Sequence, residues 1–121
     1  MFIVFQKESS MHELNDNNLS GVNLSGLNLS NVDFCKCNLQ NINLRKSILK
    51  NANLSHADLK GADLEGADLS GANLSKANLT NANLVGAKLQ NTNFSGAKLI
   101  NADLSHVDLS QANFSGTDLK N

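Results

Sequence analysis

From Val22 to Asn121 the chain carries one pattern of apolar and polar positions, repeated every five residues. It divides into twenty pentapeptides without insertion or slip, and the central position is Leu or Phe in all twenty. Two residues before it sits a small or apolar residue, Ala in eleven units, and between them lies Asn or Asp in seventeen. The last position is Gly in seven units and Asn in seven. Asn17-Asn18-Leu19-Ser20-Gly21 is an imperfect unit just upstream.

A period of five fits no continuous element. On a helix five residues advance about 500°, so successive leucines would spiral round the axis and form no stripe. In a continuous strand five is odd, so they would alternate faces. Within one unit, however, the Ala and the Leu are two apart and share a face if that piece is extended. The chain must then turn before the next unit, and Gly and Asn tolerate the positive φ that turns demand. A quarter turn after each unit closes four pentapeptides into a square coil of twenty residues. The twenty units then make about five coils, stacked about 4.8 Å apart as parallel strands into a rod about 24 Å tall. Backbone groups pair up and down between coils, and each central Leu fills the tube. The expected fold is therefore all-β, a parallel β-helix solenoid.

The units Ala62-Asp63-Leu64-Glu65-Gly66 and Ala72-Asn73-Leu74-Ser75-Lys76 resemble the pentapeptide-repeat family. The resemblance spans all twenty units and implies a right-handed quadrilateral β-helix. For function it implies several alternatives. Some members bind DNA gyrase, and some of these protect it from quinolones by imitating duplex DNA in shape and charge. Others act in bacterial, often cyanobacterial, regulation. The gyrase-binding members are markedly acidic and usually dimerise through a C-terminal module, and this chain departs on both counts.

Charge bears on that choice. Ten Lys and Arg stand against eleven Asp and Glu in 121 residues. A general nucleic-acid binder needs a basic surplus to neutralise phosphates. A duplex mimic needs a continuous negative stripe. Here Asp58, Asp63, Glu65 and Asp68 cluster near mid-rod, Asp103, Asp108 and Asp118 lie in the last coil, and Lys76, Lys88 and Lys98 interrupt them. The chain has no Trp, Tyr or Pro and five Phe, so aromatic anchors for bases or partners are few. Cys35 and Cys37 form no disulfide framework or metal set, which fits a reducing compartment. The apolar run Phe2-Ile3-Val4-Phe5 is short for a signal peptide, and no stretch reaches membrane-spanning length. A bacterial cytoplasmic protein is expected.

Stacking every fourth unit sorts side chains into columns. The interior column Phe34, Leu54, Leu74, Phe94 and Phe114 collects all three Phe of the repeat as a packed edge. Three units lack Asn or Asp before the central residue and carry Ile48, Lys88 and Lys98 instead. Lys88 is expected to stack between Asp68 and Asp108, and Lys98 beside Asp118, relieving like-charge contacts. Ile48 has no such explanation. Its unit places Ser47 at the inward position, and Arg45, Lys46 and Lys50 surround it, with Lys36 expected nearby. Ile48 is either repeat drift, with a local bulge turning it inward, or an exposed apolar contact ringed by charge. Arg45, Lys46, Ile48 and Lys50 are the expected partner contact.

No catalytic constellation stands out. His12, His56 and His106 share no column, the serines mark corners, and the glycines follow the repeat. Neither an enzyme nor a cofactor or metal is expected. Residues 1–16 are expected to cap the repeat region 17–121, with Ser10-Met11-His12-Glu13 matching a helix start. Phe2, Ile3, Val4 and Phe5 are expected to cover the first coil. The repeats run to the last residue, leaving Leu104, Leu109, Phe114 and Leu119 half exposed. Either that coil docks on a second copy, giving a homodimer, or the chain is a piece of a longer protein. The expected function is a non-catalytic protein-binding scaffold, with a gyrase- or topoisomerase-binding DNA mimic as the alternative. No direct nucleic-acid or membrane partner is expected.

Overall fold

Five backbone amides per pentapeptide need acceptors, and the way they find them defines this fold. The computed structural model describes the backbone of residues 2–7, 10–15 and 17–120, and the side chains of 17–120. In the unit 62–66, Ala62 N donates to Leu59 O (3.0 Å) across the preceding corner. Asp63 N donates to Ile42 O (2.9 Å) in the coil below, while Leu64 N (2.7 Å to Asn83 O) and Gly66 N (2.9 Å to Val85 O) donate to the coil above. The fifth amide, Glu65 N, donates to the side chain of its own unit, Asp63 Oδ1, at 3.1 Å. Every amide of this unit is thus paired, as burial against a neighbouring coil requires.

The described parallel bridges all join residues twenty apart, from Asn18↔Asn38 to Lys98↔Asp118. Four pentapeptides therefore complete one coil. The central Leu or Phe and the preceding Ala point inward, and Leu39 through Leu84 are at most 1% exposed. Ser47 and Thr92 replace the inward Ala at two places, and each returns its hydroxyl to a carbonyl: Ser47 Oγ to Leu44 O and Thr92 Oγ1 to Leu69 O, both 2.8 Å. The Phe94 and Phe114 rings stack in parallel at 5.0 Å.

Each unit-final residue from Gly21 to Gly116, except Gln111, has φ near +60 to +70°. That conformation suits Gly and Asn, but Lys36, Lys46, His56, Lys76 and His106 also adopt it. At Gln111 the corner is built differently. Asn91 N donates to Gln111 O (2.9 Å), one residue beyond the regular partner. Asp108 drops out of the ladder. The expected stack of Lys88 between two aspartates is therefore corrected: Lys88 bridges Asp68 but not Asp108, whereas Lys98 does bridge Asp118.

At the other end, β1 (Phe2–Lys7) and β2 (Ser10–Asn15) pair as an antiparallel hairpin. The expected helix start at Ser10-Met11-His12-Glu13 is corrected, because those residues lie in β2. A four-residue capping motif is too short to impose a helix against an adjacent pairing strand. Whether the side chains of Phe2, Ile3, Val4 and Phe5 cover the first coil lies outside the described residues.

Candidate functional site

The coil has four faces, and one differs from the others. Its outward strand-centre positions are Asn28, Ile48, Asp68, Lys88 and Asp108, so it holds two of the three departures from Asn or Asp. Ile48 bridges Asn28 and Asp68 in the ladder and is 37% exposed, while Ser47 is buried beneath it. The inward bulge is thereby excluded: Ile48 keeps the outward register.

Its charged neighbours are engaged with the coil above. Arg45 Nη1 lies 2.6 Å from Glu65 Oε2 and 3.4 Å from Asp63 Oδ2, with Nη2 3.3 Å from Glu65 Oε1. Lys50 Nζ reaches Asp68 Oδ2 at 3.8 Å. Lys46 occupies an exposed corner at φ 57°. Lys36 does not join them. The twenty-residue period aligns it with His56 and Lys76, half a coil away from Arg45 and Lys46. Proximity in sequence misleads here because ten residues carry the chain to the opposite side of the coil.

A groove of about 390 Å³ runs beside this patch, and Lys50, Asp68, Ser70, Lys88 and Gln90 contribute to its lining. Burial pushes the Asp68 carboxyl up. Hydrogen bonds from Ser70, and the Lys50 and Lys88 charges, more than offset this and leave it below the ordinary carboxylate value. Cys37 is buried and Cys35 half-buried, and both are free thiols. Burial, with the charges of Asp33 and Cys35, pushes the Cys37 thiol up to about 11, so it stays protonated near neutrality. Among the described residues no three His, Cys, Asp or Glu side chains converge as a metal set.

The pentapeptide-repeat family model, in eight copies, matches residues 13–51, 47–86 and 87–121. The chain belongs to the pentapeptide-repeat family. Its fold is that family's right-handed β-helix. Among solved structures it is similar to a pentapeptide repeat protein of the Arabidopsis thaliana thylakoid lumen, at 34% identity and a TM-score of 0.66, covering 88% of this chain and 71% of that one. It is also similar to HetL, involved in heterocyst differentiation regulation in the cyanobacterium Nostoc sp. strain PCC 7120, at 36% identity and a TM-score of 0.61, covering 85% of this chain. This chain spans about half (51%) of HetL. QnrB1, a plasmid-mediated fluoroquinolone resistance protein, is similar at 25% identity and a TM-score of 0.50, covering 84% of this chain and 57% of that one. No curated relative matches the sequence.

Two features of this pentapeptide-repeat rod were hidden from the sequence. The first is the role of the Asn or Asp before each central residue, which accepts the amide two residues on in every described unit that has one, as at Asn73 Oδ1 to Ser75 N (2.9 Å). Ile48, Lys88 and Lys98 cannot accept, so the amides of Lys50, Gln90 and Ile100 have no acceptor among the described residues. The signal was the near-invariance of that position from unit to unit. The second is how far the mid-rod acids are neutralised: Asp63 and Glu65 by Arg45, and Asp68 by Lys50, while Asp58 accepts from Gln40 Nε2 at 2.7 Å. In the last coil Leu109 and Leu119 are 44% and 54% exposed, and Leu104 and Phe114 are half-buried.

Proposed function

We propose that this pentapeptide-repeat protein is a non-catalytic protein-interaction module, a quadrilateral rod of about five coils with Arg45, Lys46, Ile48 and Lys50 at its contact face. In this reading residues 1–16 cap the repeat region 17–121, and the protein works in the cytoplasm on another protein. The observation that carries the reading is Ile48, an exposed isoleucine at a strand centre where the fold uses an amide acceptor. The substitution leaves the Lys50 amide unmatched and places a hydrophobe in water, so nothing inside the rod accounts for it.

Ile48→Asp tests this with melting as the control, because Asp returns the acceptor but stands opposite Asp68 in the ladder, and Ile48→Asn, run beside it, returns the acceptor without a second charge. Capture of a partner by the immobilised parent, lost with Ile48→Asp while melting is unchanged or higher, supports the reading. Equal capture by both removes it. A homodimer through Leu104, Leu109, Phe114 and Leu119 is part of the same proposal, and light scattering that finds only monomer at high concentration removes that part.

A second reading, a gyrase-binding DNA mimic, draws on the likeness to QnrB1. Its weakness is charge, since three of the four mid-rod carboxylates, Asp63, Glu65 and Asp68, are paired with cations. Supercoiling by gyrase, measured with and without a quinolone against rising protein, decides it. Inhibition or drug protection at micromolar protein would put mimicry first, and no effect would remove it.

A further inference from the structure

Two unmatched corner amides, Lys50 N and Gln90 N, lie on one corner of the rod, separated by two coil spacings, about 10 Å. Both border the groove of about 390 Å³. In a regular unit the space in front of such an amide holds a side-chain oxygen of Asn or Asp, as Asp68 Oδ1 does for Ser70 N at 3.0 Å between the two. At Gln90 no oxygen of the described residues accepts the amide, and the residue that should supply one is Lys88. Lys88 is exposed and, among the described residues, has no ion pair within bonding distance. The groove thus holds two lysines and one aspartate, and Lys50 already answers Asp68. One positive charge and two directed amide donors are left over, and the exposed Ile48 lies two coils from Lys88 on the same face.

We propose that this groove binds a carboxylate of an acidic peptide segment, with one oxygen in the seat that Asn or Asp fills elsewhere, accepting from Gln90 N–H and facing the Lys88 ammonium. The occupant follows from the seat. A planar side-chain oxygen is what the corner accommodates in all its regular units, and a glutamate or aspartate of a partner presents the same group with the charge that Lys88 lacks. Ile48, two coils from Lys88 on the same face, takes an apolar residue of the same segment. The inference rests on the contact-face reading and names the chemistry of its partner. Lys98 leaves the Ile100 amide unmatched on a different face, as a single vacancy beside Asp118, and serves as an internal control.

The experiment is an amide-resolved NMR titration of the full chain with a blocked peptide carrying one glutamate. Its glutamine analogue and inorganic phosphate are run as separate arms. The expected result is a saturable shift at Gln90, on the order of millimolar affinity for so small a probe. Ser70 and Ile100 should stay still, and the glutamine analogue should bind about tenfold more weakly or worse. Lys88→Asn returns the missing acceptor and removes the charge. It should melt higher than the parent and lose the Gln90 shift, so lost binding cannot be lost folding. No shift, equal shifts at all lysine-adjacent amides, or a response to phosphate alone would overturn the proposal. If Ile48→Asp abolishes partner capture while the glutamate peptide leaves Gln90 unmoved, the contact face stands and the carboxylate seat falls.

Discussion

The asparagine or aspartate before each central leucine is needed for the fold, although its outward position makes it look like ordinary surface. In the described units that have it, it is the acceptor for one amide in five, and Asn73 Oδ1 to Ser75 N at 2.9 Å shows the bond in a regular unit. Asn73→Ala should therefore cost about 1 kcal/mol in chemical denaturation, and Asn73→Asp should cost much less. Glycine at the unit end is a second residue-scale requirement, and two sites separate its causes. Gly71 and Gly86 have φ of +71° and +67°. A Cβ at Gly86 meets nothing within 4 Å, whereas one at Gly71 runs into Asn51 Oδ1. Gly86→Ala should lose about 1 kcal/mol from backbone conformation alone. Gly71→Ala should lose more, because Asn51 must also move, and paired denaturation curves would show the gap.

At the scale of an element, a face is a ladder of like positions, and its charges act between coils. Asp68 sits between the Lys50 unit and the Lys88 unit, and its carboxyl is held below the ordinary value despite burial. A depressed native value means that the ionised form is the one folding favours. That contribution is present above the unfolded carboxylate value, about 3.9, and is lost as pH falls through the native one. Asp68→Asn keeps a side-chain acceptor for Ser70 and removes only the charge. The parent's stability advantage over Asp68→Asn should shrink on going from about pH 5 to pH 2, and denaturation at each pH measures it. Such ladders were legible in the sequence to the extent that they follow the twenty-residue period: the inward leucines, the Phe94–Phe114 edge and the Lys98–Asp118 pair came straight from it. Ile48 stood out for the same reason, as a break in a regular column. The Arg45–Glu65 pair was not legible, because the period gives the column but not which rotamer reaches across. Lys36 was misplaced by counting along the chain instead of around the coil. The hairpin of β1 and β2 lies outside the repeat, where no period constrained the reading and a short local motif suggested a helix.

For the whole molecule, each coil touches only its neighbours, so stability is close to a sum of coil terms and coil–coil interfaces, and a local fault stays local. The rod contains such a fault. Gln111 alone among the unit-final residues from Gly21 to Gly116 lacks positive φ, and Asp108 leaves the ladder beside it. The Leu89 amide, which by the repeat would donate to Asp108 O, has no acceptor among the described residues, while Leu84 N and Leu99 N keep theirs at 2.8 and 2.7 Å. One coil below, Leu69 N still donates to Lys88 O at 2.9 Å, so the disturbance stops there. Gln111→Gly gives that corner a residue free to take positive φ. The expected outcome is that Asn91 N returns to Ser110 O, Asp108 rejoins the ladder, and Leu89 N–H gains an acceptor. Hydrogen exchange followed residue by residue should then show Leu89 slowing toward Leu84 and Leu99, with Leu69 unchanged. If Leu89 exchanges as fast in Gln111→Gly as in the parent, the unit-final conformation is not the cause of the break. If Leu69 slows as well, coupling between coils reaches further than one interface.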